Sequence, residues 1–228
     1  MRGLRIGLAL GAAVVVAAFA PQARRAGAAG APVAVDAAIV LAADLLDAVS
    51  TGPHGAIALA YVEWAGDGED KVVVDWAVIR NQADAQAFTA ALTAAPRSFV
   101  GRTAIGTAID FSFAMFAESA FSTDRRVIDV SGDGTNNQGR QVMEARDAAV
   151  GAGAVINGLA IFNKKAAAMG GYLALHTNPP GGIAQYYRDN VTGGSGAFVL
   201  QIDDFKSFGE AMMRKLVNEI ADARRPEE

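Results

Sequence analysis

Short apolar runs alternate with helix-length stretches along most of this chain, and that alternation restricts the fold more than any single motif. Val35–Ala42 (VDAAIVLA) is an apolar run suited to a buried strand. Ala56–Trp64 and Lys71–Val78 follow, separated by the turn residues Gly66, Asp67 and Gly68, and this spacing predicts an antiparallel hairpin. Asp84–Ala95 is helical by composition, and Pro96 ends it. Ile105–Ser119 carries apolar residues at helical spacing. Val127–Val130 reads as a strand, Gln141–Gly151 as a helix ending in glycine, and Ala154–Phe162 as the next strand. Ile183–Val191 reads as a helix, Ala197–Ile202 as a strand and Phe205–Arg224 as a closing helix. Strands alternating with helices predict a mainly parallel sheet of about six strands with helices on both faces. Lys71–Val78 is expected as an antiparallel edge strand.

One interval breaks the pattern. Only seven residues, Asp44 to Ser50, separate the first strand from Thr51-Gly52-Pro53. A crossover between parallel strands takes roughly a dozen residues or more. Either the first two strands are not parallel neighbours, or a helix is truncated there.

The 228 residues fit one domain with a full core, and 52% hydrophobic against 19% charged residues excludes disorder as the default. Cysteine is absent, which removes disulfides, thiolate metal sites and cysteine nucleophiles together. At the N-terminus, Arg2 and Arg5 precede an uncharged apolar run from Ile6 to Ala20, and small residues with a cleavage pattern at Ala26-Gly27-Ala28 follow. That order is expected of a signal peptide over 1–28 and of a periplasmic or secreted product. The run is shorter than the roughly 20 residues of a spanning helix, so no stable membrane insertion is expected after cleavage. Cleavage removes four arginines and no acid, which takes the net charge from −4 to −8. With no Lys/Arg cluster interleaved with aromatics, nucleic acid is not an expected partner.

Two segments carry the candidate chemistry. Val127–Val130 runs into Ser131-Gly132-Asp133-Gly134-Thr135-Asn136-Asn137, so a carboxylate, Asp133, stands at the mouth of the sheet where a hard cation can meet it. Gly101-Arg102-Thr103-Ala104-Ile105-Gly106 opens a helix, where the Thr103 hydroxyl either caps the helix or coordinates a metal. These segments resemble the von Willebrand factor type A-like fold. Ser50–Gly66, Gly101–Phe111, Arg125–Arg140, Ile156–Ile161, Tyr186–Val199 and Arg214–Ile220 together are similar to exported bacterial proteins of unknown function within it.

The resemblance implies a three-layer, Rossmann-like α/β sandwich over residues 34–224, mostly parallel, with one antiparallel edge strand and a truncated first helix. It also implies a metal-ion-dependent adhesion site, in which an Asp-x-Ser-x-Ser loop, a Thr and an Asp before a Gly surround a Mg²⁺-like ion and a partner's carboxylate completes the shell. Thr103 matches the second loop and Asp133 the third. In the first loop only Asp44 is available, followed by Leu45, Leu46, Asp47 and Ala48 without either serine, and Asp44 stands either as the first-loop aspartate or as the end of the missing helix. The expectation is therefore a non-enzymatic binding module for an unidentified protein partner, with a metal-assisted hydrolase or a non-functional truncated copy as the alternatives. Its damaged site would take Mg²⁺, or Mn²⁺ or Ca²⁺, weakly or not at all.

Other candidates are weaker. Asp129–Asp133 mimics the first-loop spacing, but Asp129 belongs to a strand. Asp133–Glu144 is spaced like a calcium loop but has Gln138 where glycine is needed. His54 and His176 are the only histidines, too few for a His-rich metal site, and Ser195 lies in no nucleophile elbow. Asn190-Val191-Thr192 fits a glycosylation sequon of little meaning in a bacterial protein. Tyr61, Trp64, Tyr186 and Tyr187 read as packing residues. The leader reading makes one expectation measurable: N-terminal sequencing of exported protein should start within several residues of Ala29. Soluble cytoplasmic protein that retains Met1 would overturn it.

Overall fold

The computed structural model describes residues 12–19 and 54–203, apart from positions 97, 100, 122 and 124. Its strands are β1 (Ala12–Phe19), β2 (Ile57–Trp64), β3 (Asp70–Ile79), β4 (Arg125–Gly132), β5 (Ala154–Ile161) and β6 (Val199–Ile202). The helices are α1 (Gln82–Ala94), α2 (Ile105–Glu118), α3 (Val142–Gly151), α4 (Lys164–Ala168), α5 (Gly171–Thr177) and α6 (Ile183–Tyr186). A π-helical turn, Tyr187–Val191, continues α6. The result is a mixed α/β protein built on one six-stranded sheet of order β3-β2-β1-β4-β5-β6.

Strands β4, β5 and β6 run parallel, joined by helical crossovers. Strands β2 and β3 form the expected antiparallel hairpin. Its turn is closed by Ala65 N–H donating to the Glu69 carbonyl at 3.0 Å and by Gly66 N–H donating to Glu69 Oε2 at 2.8 Å. Helix α1 is capped by Asn81, whose Oδ1 accepts from the N–H groups of Ala83 and Asp84.

Side chains on one face of the sheet, among them Ala58, Val62, Trp64, Ile128, Val130 and Ile156, pack against α2, α3 and α6. On the alternate positions Ile57, Leu59, Val127, Leu159 and Ile161 are buried as well. Strands buried on both faces read as continuous apolar runs rather than alternating ones, which is why these segments were legible as strands. Gly158 permits a close approach within the core: a Cβ there would stand 2.8 Å from the ring of the fully buried Tyr187.

Two features differ from the sequence expectation. The slot between β2 and β4 is occupied by Ala12–Phe19 from the apolar N-terminal run, a stretch expected as part of a cleaved leader rather than as a strand. Val35–Ala42 and Phe205–Arg224 lie outside the described residues. The occupant is eight uncharged residues with three consecutive valines, a composition that suits a central strand. The sheet thus reaches N-terminal of residue 34. Strand β1 is antiparallel to both neighbours, with Val14 opposite Val62 and Val130. The expectation of a single antiparallel strand, at the edge, is corrected: β3 is antiparallel at the edge, and β1 is a second antiparallel strand in the middle.

The hairpin yields a test of pH dependence. Asp70 pairs with Trp64 across the turn, and burial, with a smaller contribution from Asp67, raises its pKa from 3.8 to about 6. The folded state therefore holds a proton that the unfolded chain releases between these two values, so stability falls as pH rises through that window. Asp70→Asn should flatten this fall and stabilise the protein at pH 7 by about 1 kcal/mol, a figure reduced for solvent screening at a half-buried side chain. Urea melts at pH 4 and pH 7 measure it.

Candidate functional site

The site lies beyond the carboxyl ends of β4 and β5, where an open parallel sheet leaves its crevice. Three segments meet there: the 101–104 approach to α2, the 133–141 loop after β4, and α5 with the residues between β5 and α4.

The first two segments are clasped together. Thr103 N–H donates to Asn137 Oδ1 and Asn137 N–H donates to the Thr103 carbonyl, both at 2.9 Å. Gly106 N–H, in the first turn of α2, donates to Asn136 Oδ1 at 3.2 Å. Asn136 N–H in turn donates to the Tyr186 hydroxyl at 2.9 Å. The capping role considered for Thr103 is not observed. Ala104 is the N-cap residue of α2, and Asn136 satisfies the helix from across the crevice.

The Thr103 hydroxyl instead meets His176, with Oγ1 3.2 Å from Nε2. On the other side of the ring, Nδ1 is 3.0 Å from Thr135 Oγ1. The Thr135 N–H also donates to the His176 carbonyl at 3.0 Å. The imidazole stacks on Tyr172, with centroids 5.7 Å apart and planes 5° apart, while the Tyr172 hydroxyl accepts from Asn137 Nδ2 at 3.0 Å. Burial lowers the His176 pKa, and the nearby Asp133 carboxylate opposes that shift without reversing it. The ring is therefore neutral at pH 7, with one nitrogen protonated and the other able to accept.

Asp133 follows β4 directly, and its Oδ2 accepts from Asn163 Nδ2 at 2.8 Å. Asn163 Oδ1 also caps α4 through the Ala166 N–H. Asp133 is felt by the buried Tyr187 too: burial first, then Asp133 and Tyr186, raises that hydroxyl's pKa well above its ordinary value. Asp133 and Thr103 thus share one end of the sheet, and His176 lies between their loops.

Asp44 lies outside the described residues. Asp129 is fully buried inside β4, in register with Asn157, and takes no part in the crevice. Of the residues that complete the arrangement, His176 and Asn163 were not singled out by sequence reasoning as site residues. Their segment, α4 and α5, has no strong helical periodicity, and one histidine in a chain with two gives no ligand pattern.

A Mg²⁺ ion takes six oxygens in near-octahedral geometry. The described residues offer one carboxylate and one threonine hydroxyl, and an imidazole occupies the space beside them. Among the described residues no group of three or more His, Cys, Asp or Glu side chains could hold a metal. This donor set does not fit an all-oxygen Mg²⁺ centre. No described helix is long and apolar enough to cross a membrane.

Fold and crevice together define a mixed α/β protein with a polar site at the carboxyl ends of its parallel strands. Residues 34–224 match the family described as "Protein of unknown function (DUF1194)", and the chain belongs to that family. No curated protein matches it. Among solved structures, it is similar to the crystal structure of the conserved hypothetical protein BatB from Bacteroides thetaiotaomicron, with 19% identity and a TM-score of 0.44. That match covers 71% of this chain and 78% of the other.

Gly134 carries a sharp steric demand in the crevice. A Cβ there would fall 2.3 Å from His176 Nε2 and 2.7 Å from Cε1. The ring is held from both sides and cannot yield easily, so Gly134→Ala should expel it from its position against Thr103. The imidazole resonances of His176 should shift in a two-dimensional NMR spectrum while those of His54 stay in place.

Proposed function

We propose that this chain is an exported, non-enzymatic binding module with a von Willebrand factor type A-like, three-layer architecture, whose metal-ion-dependent adhesion site is degenerate. The observation that carries the reading is the meeting of Thr103 and Asp133 in one crevice, since these two match the second and third loops of such a site. Next to them, α4 and α5 expose Met169, Tyr172 and Leu175, apolar surface of the kind a protein partner covers. The partner in this reading is a protein that presents a carboxylate to the crevice.

Export removes Ala12–Phe19, the strand between β2 and β4 in the uncleaved chain. The reading assigns the vacated slot to Val35–Ala42, a run of equal length. The first-loop serines are missing whichever segment fills it, so a hard cation loses two hydroxyl ligands. Mg²⁺ affinity should fall well below that of an intact site.

The test is a graft on the mature chain, placing Asp-x-Ser-x-Ser and a full amphipathic helix between Ala43 and Leu45. Calorimetry should show weak or undetectable Mg²⁺ binding by the native chain, tighter binding and a higher melting temperature after grafting, and loss of that gain in Asp133→Ala. Tight Mg²⁺ binding by the native chain, unchanged by the graft, would overturn the degenerate-site reading. Hydrolytic turnover abolished by Asp133→Ala would replace the binding module with an enzyme.

A further inference from the structure

We infer that the exposed apolar stretch 169–175, with Lys165 beside it, is the docking surface for a protein segment that combines apolar side chains with acidic ones. The inference rests on the proposed reading that a protein partner meets this end of the molecule, and it names the chemistry of the segment that covers α4 and α5. It makes no use of Asp133 or Thr103 as ligands.

Two observations meet there. The first is the concentration of apolar surface. Among the described residues five large apolar side chains stand exposed, and four of them, Met169, Tyr172, Leu173 and Leu175, fall in this one stretch. Met169 is 73% exposed, Tyr172 65% and Leu175 63%. Single exposed apolar side chains are ordinary, but a cluster of this kind marks a surface that another molecule covers. Tyr172 and Leu175, three residues apart, are neighbours on the surface of α5. The stretch is also fixed in place. The His176 ring is held between Thr103 and Thr135, and the Tyr172 hydroxyl accepts from Asn137. The Thr177 hydroxyl donates to the Leu173 carbonyl at 2.9 Å, and Asn178 N–H donates to the Ala174 carbonyl at 2.8 Å. A surface already held in one conformation loses little entropy on binding.

The second observation is charge. Residues 148–188 contain no Asp or Glu, although the chain has 24 of them in 228 residues and a net charge of −4. Lys164, Lys165 and Arg188 lie in that interval. Lys164 pairs with Asp203 at 3.3 Å and Arg188 donates to Gln185, whereas the exposed Lys165 has no ion pair among the described residues. This face is an apolar, acid-free island on an acidic molecule, so it favours a segment that brings carboxylates together with apolar side chains. Two other occupants fit less well. An anionic bilayer is flat and meets the acidic surroundings along with the island, and α5 spans only seven residues. An isologous contact between two copies of this chain brings the same acid-free face and no carboxylate for Lys165.

The experiment selects a phage-displayed library of random peptides on the full chain, and on the processed chain where export removes the leader. A peptide of the enriched sequence is then synthesised and titrated, with NMR and fluorescence anisotropy as readouts. Enriched sequences should place Asp or Glu among Leu, Phe or Met. The peptide should shift the Tyr172 ring and Leu175 methyl resonances and leave Met143, the exposed methionine of α3, in place. Leu175→Asp should weaken binding by about tenfold or more. Lys165→Glu should weaken it by about threefold or more, and a peptide with lysine in place of its acids should recover binding to that variant. The NMR map uses the native chain, so misfolding of a variant cannot hide the answer. Absence of any enriched sequence overturns the inference, as do enriched peptides without acids, shifts confined to other surfaces, or affinity unchanged in Lys165→Glu. Co-sedimentation with phosphatidylglycerol vesicles that is lost in Leu175→Asp assigns the surface to lipid, and a dimer lost in the same variant assigns it to a second copy; either result also overturns the inference. These outcomes leave the degenerate-site reading standing; that reading fails only on the Mg²⁺ titration of the native and grafted chains.

Discussion

The reciprocal hydrogen bonds between Thr103 and Asn137 hold the crevice together. Each residue donates its backbone N–H to the other, one to a side-chain amide and one to a carbonyl, both at 2.9 Å. This ties the entry of α2 to the loop after β4, two segments about thirty residues apart in sequence. Once they are tied, Asn136 reaches the first turn of α2, Thr103 turns its hydroxyl toward His176, and Asp133 emerges from β4 on the same side. Neutral hydrogen bonds of this kind contribute about 1 kcal/mol each, but leaving buried backbone groups unpaired costs more, so the loop conformation is strongly specified.

The sheet beneath places these loops by strand direction. β2, β4, β5 and β6 point the same way, so their carboxyl ends share one edge of the molecule. The β2–β3 turn reaches that edge as well: Ala104 N–H donates to the Ala65 carbonyl at 2.7 Å, and the Thr107 hydroxyl donates to Asp67 at 2.7 Å. The exposed ion pair Arg140–Asp110, at 2.6 Å, adds little by comparison, because solvent screens both partners. The crevice is set by backbone and amide hydrogen bonds more than by charge.

The central strand shows what hydrophobic pattern leaves open. Ala12–Phe19 and Val35–Ala42 are both apolar runs of eight residues, and a slot between two buried strands demands little more than that. Sequence pattern marked the second run as a buried strand and the first as part of a leader, without placing either in the sheet order. The structure of the whole chain holds the first run there, antiparallel to β2 and β4. Strand direction depends on how the chain enters and leaves the slot, and no residue in either run encodes it.

By itself, the sequence determined most of the secondary structure from β2 to β6, the short helices α4 and α5 excepted. Apolar runs of strand length, bounded by Gly, Pro and Asp, have few alternatives once a core must be buried. It also determined that Asp133 stands at a strand end and that Thr103 opens a helix, since both follow from local position. It did not determine the partner of either residue. That Thr103 faces a histidine rather than capping its own helix, and that Asn163 holds the carboxylate of Asp133, was decided by tertiary structure. Those contacts span about 70 and 30 residues of chain. They exist because parallel strands deliver their loops to one edge, and a contact made by sheet order leaves no trace in local spacing.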